Sequence, residues 1–377
     1  MNLLITGGAG FIGTHLARRA QLEGAAVTLF DNLNPQIHGS DSSSVVRRLS
    51  SFSRIIVGDM CDRTALHTAL KNQDVVVHLA AETGTGQSMY EVSRYEQVNV
   101  GGTANLFDIL VNDKLLRVNK VVVASSRAIY GEGKYQCAQH GVVYPQARLA
   151  ADLRAGKFEP CCPACGASCT ALPTDENTLP NPSSFYGLTK LVQEQMTLLF
   201  GRTLGIDAYA LRYQNVYGPG QSLKNPYTGI LAVFSNLVRA NTDINIFEDG
   251  EESRDFVYID DVVEATWLCI QSSIVGRQSS INVGSGQRTT VRQVAQAVVD
   301  YFGSQSKLIT TGDFREGDIR HNVADLACAR ELLGFQPRCH FADGLRKFLD
   351  WATGQESGRV SDYDRSLNEM RAKGLMR

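Results

Sequence analysis

No apolar run in this chain reaches the roughly 18 residues that a membrane-spanning helix needs, and nowhere do Lys and Arg gather into the basic block that tracks a phosphate backbone. Lys and Arg number 37 against 39 Asp and Glu, a formal charge of −2. Neither a membrane nor a nucleic acid is therefore an expected partner. The start, MNLLITGGAG, passes from apolar residues straight to glycine, without the charged stretch, apolar stretch and cleavage site of a secretory signal. A cytoplasmic protein is expected, in which thiols stay reduced and clustered cysteines bind metal or do chemistry more often than they pair. No fixed-period repeat suggests a solenoid or propeller. What is present, 377 residues at 43% hydrophobic content, can bury one large or two ordinary cores.

The apolar, β-inclined NLLIT at 2–6 is followed by GGAGFIG and then by a helical pattern through Thr14 to Leu22. Gly7, Gly10 and Gly13 form a glycine turn between strand and helix, where the backbone can approach a pyrophosphate at the helix N-terminus. The next buried run, AAVTLF, ends at Asp31, whose carboxylate would accept bonds from ribose hydroxyls and repel a 2′-phosphate, favouring NAD over NADP. RIIVGDM and DVVVHLAA continue the strand–helix alternation of a doubly wound parallel sheet, an α/β Rossmann fold. Asp59 follows the third of these strands and can meet the adenine edge or simply face solvent. His78, inside an apolar run, reads as a satisfied core histidine.

Strand KVVVASS leads into RAIYG, and much later SSFYGLTKLVQEQM opens a helix carrying Tyr186 and Lys190 four positions apart, on one face. Such an ammonium can lower the phenol's pKa from its usual ~10 and orient a nicotinamide ribose. The phenol can then exchange a proton with a sugar hydroxyl while hydride moves to the ring. Taken alone, the spacing also fits a packed Tyr beside a solvated Lys.

TGGAGFIG, Asp31, GDM, HLAA, SSRAIYG, YGLTK, LRYQNVYGPGQ, RDFVYIDD and REGD, in that order, resemble the extended short-chain dehydrogenase/reductase family, specifically its nucleotide-sugar epimerases. The resemblance spans nearly all of the chain outside residues 134–172. It implies Ser126 as the hydroxyl that bonds the reacting sugar oxygen, with Ser125 as its competitor, Tyr186 as acid/base and Lys190 as ribose clamp. It places Phe11, Ile12, Asn32, Asp59, Met60, Leu79, Ala80, Ala81, Asn99 and Tyr213 around the cofactor. Asn215, Arg254, Arg315 and Asp318 would hold the sugar nucleotide, and a homodimer built from two helices per subunit would be the assembly. Dehydratases of the family put an Asp–Glu pair directly after the catalytic hydroxyl, whereas Arg127 and Ala128 stand here. The implied reaction is therefore oxidation at carbon 4, rotation of the keto sugar and hydride return to the other face. Glu82, Thr83, Gly84, Thr85 and Gln87, in the loop after the fourth strand, resemble members acting on dTDP-L-rhamnose and dTDP-6-deoxy-L-talose, although these glycines equally fit a plain flexible loop. A UDP-hexose 4-epimerase, another deoxysugar-nucleotide epimerase or reductase, and a cofactor-holding scaffold protein stay open.

FEPCCPACGASCT, residues 158–170, holds four of the nine cysteines. With CAQHG upstream, Cys137 and His140 form C-x-x-H-G and Cys162 and Cys165 form C-P-x-C-G, the paired turns with which a zinc ribbon presents four ligands. A closed set of three Cys and one His leaves no position for water, so a structural zinc is expected, with Cys161 and Cys169 as alternative ligands and with free structural thiols and a redox C-x-x-C as the other readings. Cys61, Cys269 and Cys328 read as plain thiols, and Cys339 is unassigned. The expected organisation is a Rossmann domain over 1–216 with a return near 255–280, the ribbon at 134–172, and a smaller α/β substrate lobe from 217–254 and 281–350. NPYTGILAVFSNLVRAN would supply a helix over the nucleotide, and the charged tail at 355–377 would be mobile.

Overall fold

The computed structural model describes residues 1–39, 41–225, 229–272 and 276–377. Its centre is a seven-stranded sheet in which every neighbouring pair is parallel. From the N-terminal end come β1 (Asn2–Thr6), β2 (Ala26–Asp31), β3 (Arg54–Val57), β4 (Val75–His78) and β5 (Lys120–Ser126). Strands Asp207–Tyr213 and Gln278–Val283 then extend the sheet beyond β5. The chain thus runs outward from β1 through β2 to β3, and restarts on the other side of β1 with β4 and β5. The carboxyl ends of β1 and β4 flank the point where the winding reverses, which is where open α/β sheets leave a crevice.

Strand alternation explains the two-sided core. Leu3, Ile5, Leu29, Val75, Val77 and Val122 point to one face, against Leu16, Ala17 and Ala20 of helix Phe11–Leu22. Leu4, Phe30, Val76 and Val121 point to the other, against Leu66, Leu70, Leu106 and Phe107. Period-two apolar runs buried on both faces are what a sheet covered by helices on each side requires. Among the described residues no helix is long and apolar enough to cross a membrane.

After Tyr213 the chain builds a second set of elements. Asn215–Tyr217 pairs in parallel with Phe256–Tyr258, Ile244–Ile246 with Leu308–Thr310, and Ser253–Arg254 runs antiparallel to Thr289–Thr290. Helices Ile230–Arg239, Val291–Phe302 and Phe341–Thr353 pack over them. Of the helix expected in NPYTGILAVFSNLVRAN, residues 230–239 are helical and bury Leu231, Phe234, Leu237 and Val238, while residues 226–228 lie outside the described residues. Helix Ile259–Gln271 and strand Gln278–Val283 return the chain to the main sheet.

Between β5 and helix Phe185–Leu204 the chain forms a small antiparallel sheet, with Tyr135–Cys137 in the middle, Gly141–Val143 on one side and Thr170–Ala171 on the other. One expectation is overturned. The stretch beyond Gly354 is not a loose tail: Val360–Ala372 is helical and buries Ser366, Leu367 and Met370. The last residues then pair with the backbone near Phe314, through Phe314 N–H to Arg377 O at 2.8 Å and Arg377 N–H to Phe314 O at 3.1 Å. High charge conceals an apolar stripe at Tyr363, Leu367 and Met370, spaced as one helix face.

Candidate active site

A cleft of about 780 Å³ opens at the carboxyl ends of β1, β2, β4 and β5. Gly7, Gly10, Phe11, Ile12, Gly13, Asp31, Asn32, Asp59, Met60, Leu79, Ala80, Ala81 and Tyr213 all line it. Glycine is required at the first turn: Gly7 has φ +66, and a Cβ there would meet Ala80 N at 2.7 Å. Asp31 is anchored at the rim, its carboxylate accepting from Ala9 N–H at 3.0 Å and Leu33 N–H at 2.8 Å. Asn32 donates to Asp59 at 2.8 Å. Burial would raise the Asp59 carboxyl, but this bond and the one from Cys61 N–H outweigh it and hold the group below the usual carboxylate value. Asn99, expected among the cofactor contacts, stands one layer back. It is fully buried, accepts from Glu82 N–H at 2.8 Å, and donates to Glu82 O at 3.1 Å and Thr189 Oγ1 at 2.9 Å, so its amide is spent on holding the wall. His78 is a core residue between Thr6 and Thr103, and burial lowers its pKa to about 3.

Three further side chains that line the cleft stand together: Ser126, Tyr186 and Lys190, with the Ser126 hydroxyl bonded to the Tyr186 phenol. Ser126 ends β5, and its Oγ accepts from Ala128 N–H at 3.1 Å. Helix Phe185–Leu204 is capped by Ser184, whose Oγ accepts from Gly187 N–H at 3.1 Å. Gly187 lets this helix approach the backbone of Ala128 more closely than any side chain would permit. Lys190 Nζ donates to Ala124 O at 2.9 Å, and burial lowers its pKa to about 7. Burial raises the Tyr186 phenol, opposed by the Ser126 side chain and by the positive charge of Arg127. The four-residue spacing in the sequence points to Lys190 for that charge effect. In the structure the Lys190 ammonium lies 5.9 Å from the Tyr186 ring centre and donates to Ala124 O, and the charge that opposes burial of the phenol is that of Arg127. Ser125 is turned away, donating to Glu194 Oε2 at 2.5 Å inside a buried network with Arg212.

Arg127 is the residue whose role sequence reasoning missed. Its Nε donates to Asn215 Oδ1 at 3.0 Å, beside Arg254 and Asp318. Arg254, 7% exposed, donates to Asp318 Oδ1 at 2.7 Å and to the backbone oxygens of Ser253 and Arg320. Burial works to raise the Asp318 carboxyl, but Arg254, Arg315 and Arg127 together hold it below the usual value. The Arg315 guanidinium lies 4.9 Å over the Phe247 ring, with a buried Nε that has no partner among the described residues. The structure thus brings Asn215, Arg254, Arg315 and Asp318 together beside Arg127, and none of the four is among the residues that line the cleft.

The loop after β4 is braced rather than free. Glu82, at the cleft wall, pairs with Arg94 at 2.8 Å, and the Tyr95 hydroxyl donates to Thr83 O and Gly84 O. Thr83 and Thr85 are exposed. Gln87, expected to meet the sugar, is 3% exposed and bonded to Gln36 and Glu91 at 3.1 and 3.0 Å, so it secures the loop instead. The C-terminal helix supports the same loop, with Met370 against Gly86 and the Lys373 ammonium 5.1 Å from the Tyr90 ring centre.

In the insertion, the ligand atoms of Cys137, His140, Cys162 and Cys165 all lie within 4.8 Å of one another. Cys137 Sγ is 3.7 Å from His140 Nδ1 and 3.8 Å from Cys165 Sγ, and Cys162 Sγ is 3.6 Å from His140 Nδ1. Bonds from the Gln139 backbone and from His140 pull the Cys137 thiol down to about 6. Cys161 is exposed and Cys169 is packed with Tyr135 and Val143; neither belongs to the four.

Residues 3–151 and 161–284 match the family described as "NAD dependent epimerase/dehydratase family". A dTDP-L-rhamnose 4-epimerase of Burkholderia thailandensis is 38% identical over 93% of this chain and 94% of its own length. The crystal structure of a UDP-glucose 4-epimerase of Thermotoga maritima with UDP-glucose is 28% identical, with a TM-score of 0.75, covering 94% of this chain and 99% of that one. MoeE5, solved with UDP-glucuronic acid and NAD, is 29% identical with a TM-score of 0.72 over the same shares of the two chains. With the glycine turn, the Ser–Tyr–Lys set and the reversed winding all in place, the chain belongs to the NAD dependent epimerase/dehydratase family, within the extended short-chain dehydrogenase/reductases.

Proposed function

We propose that the protein binds NAD in the cleft and interconverts dTDP-L-rhamnose and dTDP-6-deoxy-L-talose by inverting carbon 4. The observation that carries this is the meeting of Ser126, Tyr186 and Lys190 in the same cleft as the glycine turn and Asp31. The cleft suits a dinucleotide. Gly7 and Gly13 leave the space a Cβ would fill, and the Gln214 amide lines the wall, 5% exposed, with no partner among the described residues for either its oxygen or its nitrogen. NAD, when bound, supplies the acceptor and donor of hydride at carbon 4. The chain's own part is to move one proton and to hold the sugar. Ionised Tyr186 takes the proton of the 4-hydroxyl as hydride leaves, and returns it to the carbonyl oxygen when hydride comes back, while the Ser126 hydroxyl bonds that oxygen throughout. Arg254 and Asp318, with Asn215 and Arg315, would grip the diphosphate and ribose.

The dTDP-deoxyhexose reading draws support from the similarity to the Burkholderia enzyme across nearly the full length, and from Arg127 and Ala128, which offer no carboxylate pair for dehydration. Incubation with dTDP-L-rhamnose, UDP-glucose and UDP-galactose, followed by proton NMR of the sugar ring, tests it. Inversion confined to the UDP sugars would move the assignment to a UDP-hexose 4-epimerase, and no inversion in any of them would end the epimerase reading. A homodimer, as the family resemblance implies, is checked by light scattering on the eluting protein. Nine unpaired cysteines fit a reducing, cytoplasmic setting.

For the insertion we propose a structural zinc. Tetrahedral ligation with Zn–S near 2.3 Å and Zn–N near 2.05 Å puts sulfurs about 3.8 Å apart and sulfur about 3.6 Å from nitrogen. The spacings of 3.8, 3.7 and 3.6 Å among Cys137, Cys165, Cys162 and His140 support that geometry, and a disulfide, near 2.05 Å, does not fit them.

A further inference from the structure

We infer that the metal-bound ribbon is a positioning device for the diphosphate clamp, an inference that rests on the zinc reading above. The ribbon cannot hold its own shape by packing: its core is five buried residues, Tyr135, Cys137, Val143, Cys162 and Cys169. So small a core needs a cross-link or an ion to be rigid. Yet this small module sends two charged side chains into the wall behind Asp318.

The first is Arg148, whose side chain is 4% exposed. It donates to Glu132 at 3.1 Å, to Glu248 at 2.8 Å, and to the backbone oxygen of Asp318 at 3.0 Å. The second is Glu159, which accepts from Arg320 at 2.8 Å and bonds His321 at 3.2 Å. His321 in turn bonds the Ser253 hydroxyl at 2.8 Å, one residue before Arg254. The ribbon therefore grips the segment from Asp318 to His321 from behind, and the carboxylate of Asp318 is left facing Arg254.

The link from metal to clamp is short. Cys162 N–H donates to Ala167 O at 2.8 Å and Cys169 N–H to Pro160 O at 3.0 Å, so the knuckle folds back and pins the residue next to Glu159. Without the ion, Pro160 is held by the Cys169 N–H bond and by the bond from Arg148 to Phe158 O at 3.1 Å, and the knuckle that carries Cys169 loses its cross-link to Cys137 and His140, so Glu159 loses part of its aim at Arg320 and His321. Cofactor binding depends on none of these contacts, because the cleft at β1, β2 and β4 is built without the insertion.

The test uses the full chain as purified, with zinc counted by native mass spectrometry, and dTDP, UDP and NAD binding measured by calorimetry before and after chelation. One zinc per chain is expected, with dTDP or UDP binding about tenfold weaker in the metal-free protein and restored by zinc, and NAD binding within twofold of its starting value. Less than half an equivalent of zinc overturns the metal reading itself. Zinc that is present and removable without weakening nucleotide binding overturns the positioning role and leaves the metal reading standing. Should the metal-free chain unfold, Glu159→Gln, which keeps all four ligands, decides: weaker dTDP or UDP binding at full zinc content and unchanged NAD binding is the expected result, and unchanged nucleotide binding overturns the role. Failure of the unmodified protein to bind either nucleotide overturns the clamp and the inference with it.

Discussion

Arg127 places a positive charge beside the Tyr186 phenol, the group that the proposed mechanism requires to lose a proton. Burial, and the neighbouring charge of Arg254, push its own pKa down to about 10, so it stays protonated at neutral pH. Burial drives the Tyr186 phenol upward and the Arg127 charge drives it back down. In the proposed mechanism the ionised phenol is the base, so removing that charge raises its pKa and moves the rising limb of kcat/KM to higher pH. Arg127→Gln is expected to shift that limb upward by about one pH unit, and Arg127→Lys to return most of it. A pH–rate profile with an unmoved limb would count against the electrostatic role. Ser126→Ala should lower kcat by about 10²-fold. Ser125→Ala should leave kcat alone and lower stability by about 1 kcal/mol, seen by denaturant titration, because Glu194 loses a donor. The motif made both serines legible as candidates. Choosing between them needed Glu194, which reaches Ser125 only through the pairing of helix Phe185–Leu204 with the sheet, and no local pattern reports that contact.

Among elements, strands and their order of winding were readable because apolar runs flanked by glycine and aspartate recur along the first half of the chain. The C-terminal helix was not. Its composition is that of a solvated tail, and only the spacing of Tyr363, Leu367 and Met370 betrays a buried face. Leu367 is 4% exposed and packs with Met370 and Met376. Leu367→Ala should therefore cost about 2–3 kcal/mol, measured by denaturant unfolding, and loosen the loop at Gly86 and Tyr90, measured as faster amide exchange there. Asn99 and Gln87 show the same limit at a finer grain. Both sit at family positions, yet each spends its amide on protein partners, a fact fixed by neighbours far away in sequence.

At the scale of the whole molecule, the cleft takes its walls from both halves of the winding, so a ligand that fills it should stabilise the entire fold. NAD at 100 times its Kd is expected to add about 2.7 kcal/mol of stability, whereas NADP at the same concentration should add little, since Asp31 stands at the rim with its carboxylate already fixed by backbone N–H groups. A thermal unfolding scan with each dinucleotide checks this, and equal shifts for both would remove Asp31 as the discriminating group. The parallel pairing of β5 with Asp207–Tyr213 has a consequence for time rather than energy. The ribbon and the helix bearing Tyr186 both lie in the connection between those strands, and lengthening such a connection twofold costs only about 0.6 kcal/mol at equilibrium. Joining strands so distant along the chain is nonetheless slow. The hairpin of Tyr135–Cys137 and Gly141–Val143 closes locally and can be in place first, so β1 to β4 should gain amide protection early in refolding and the surroundings of Tyr186 should be the last part of the protein to become native.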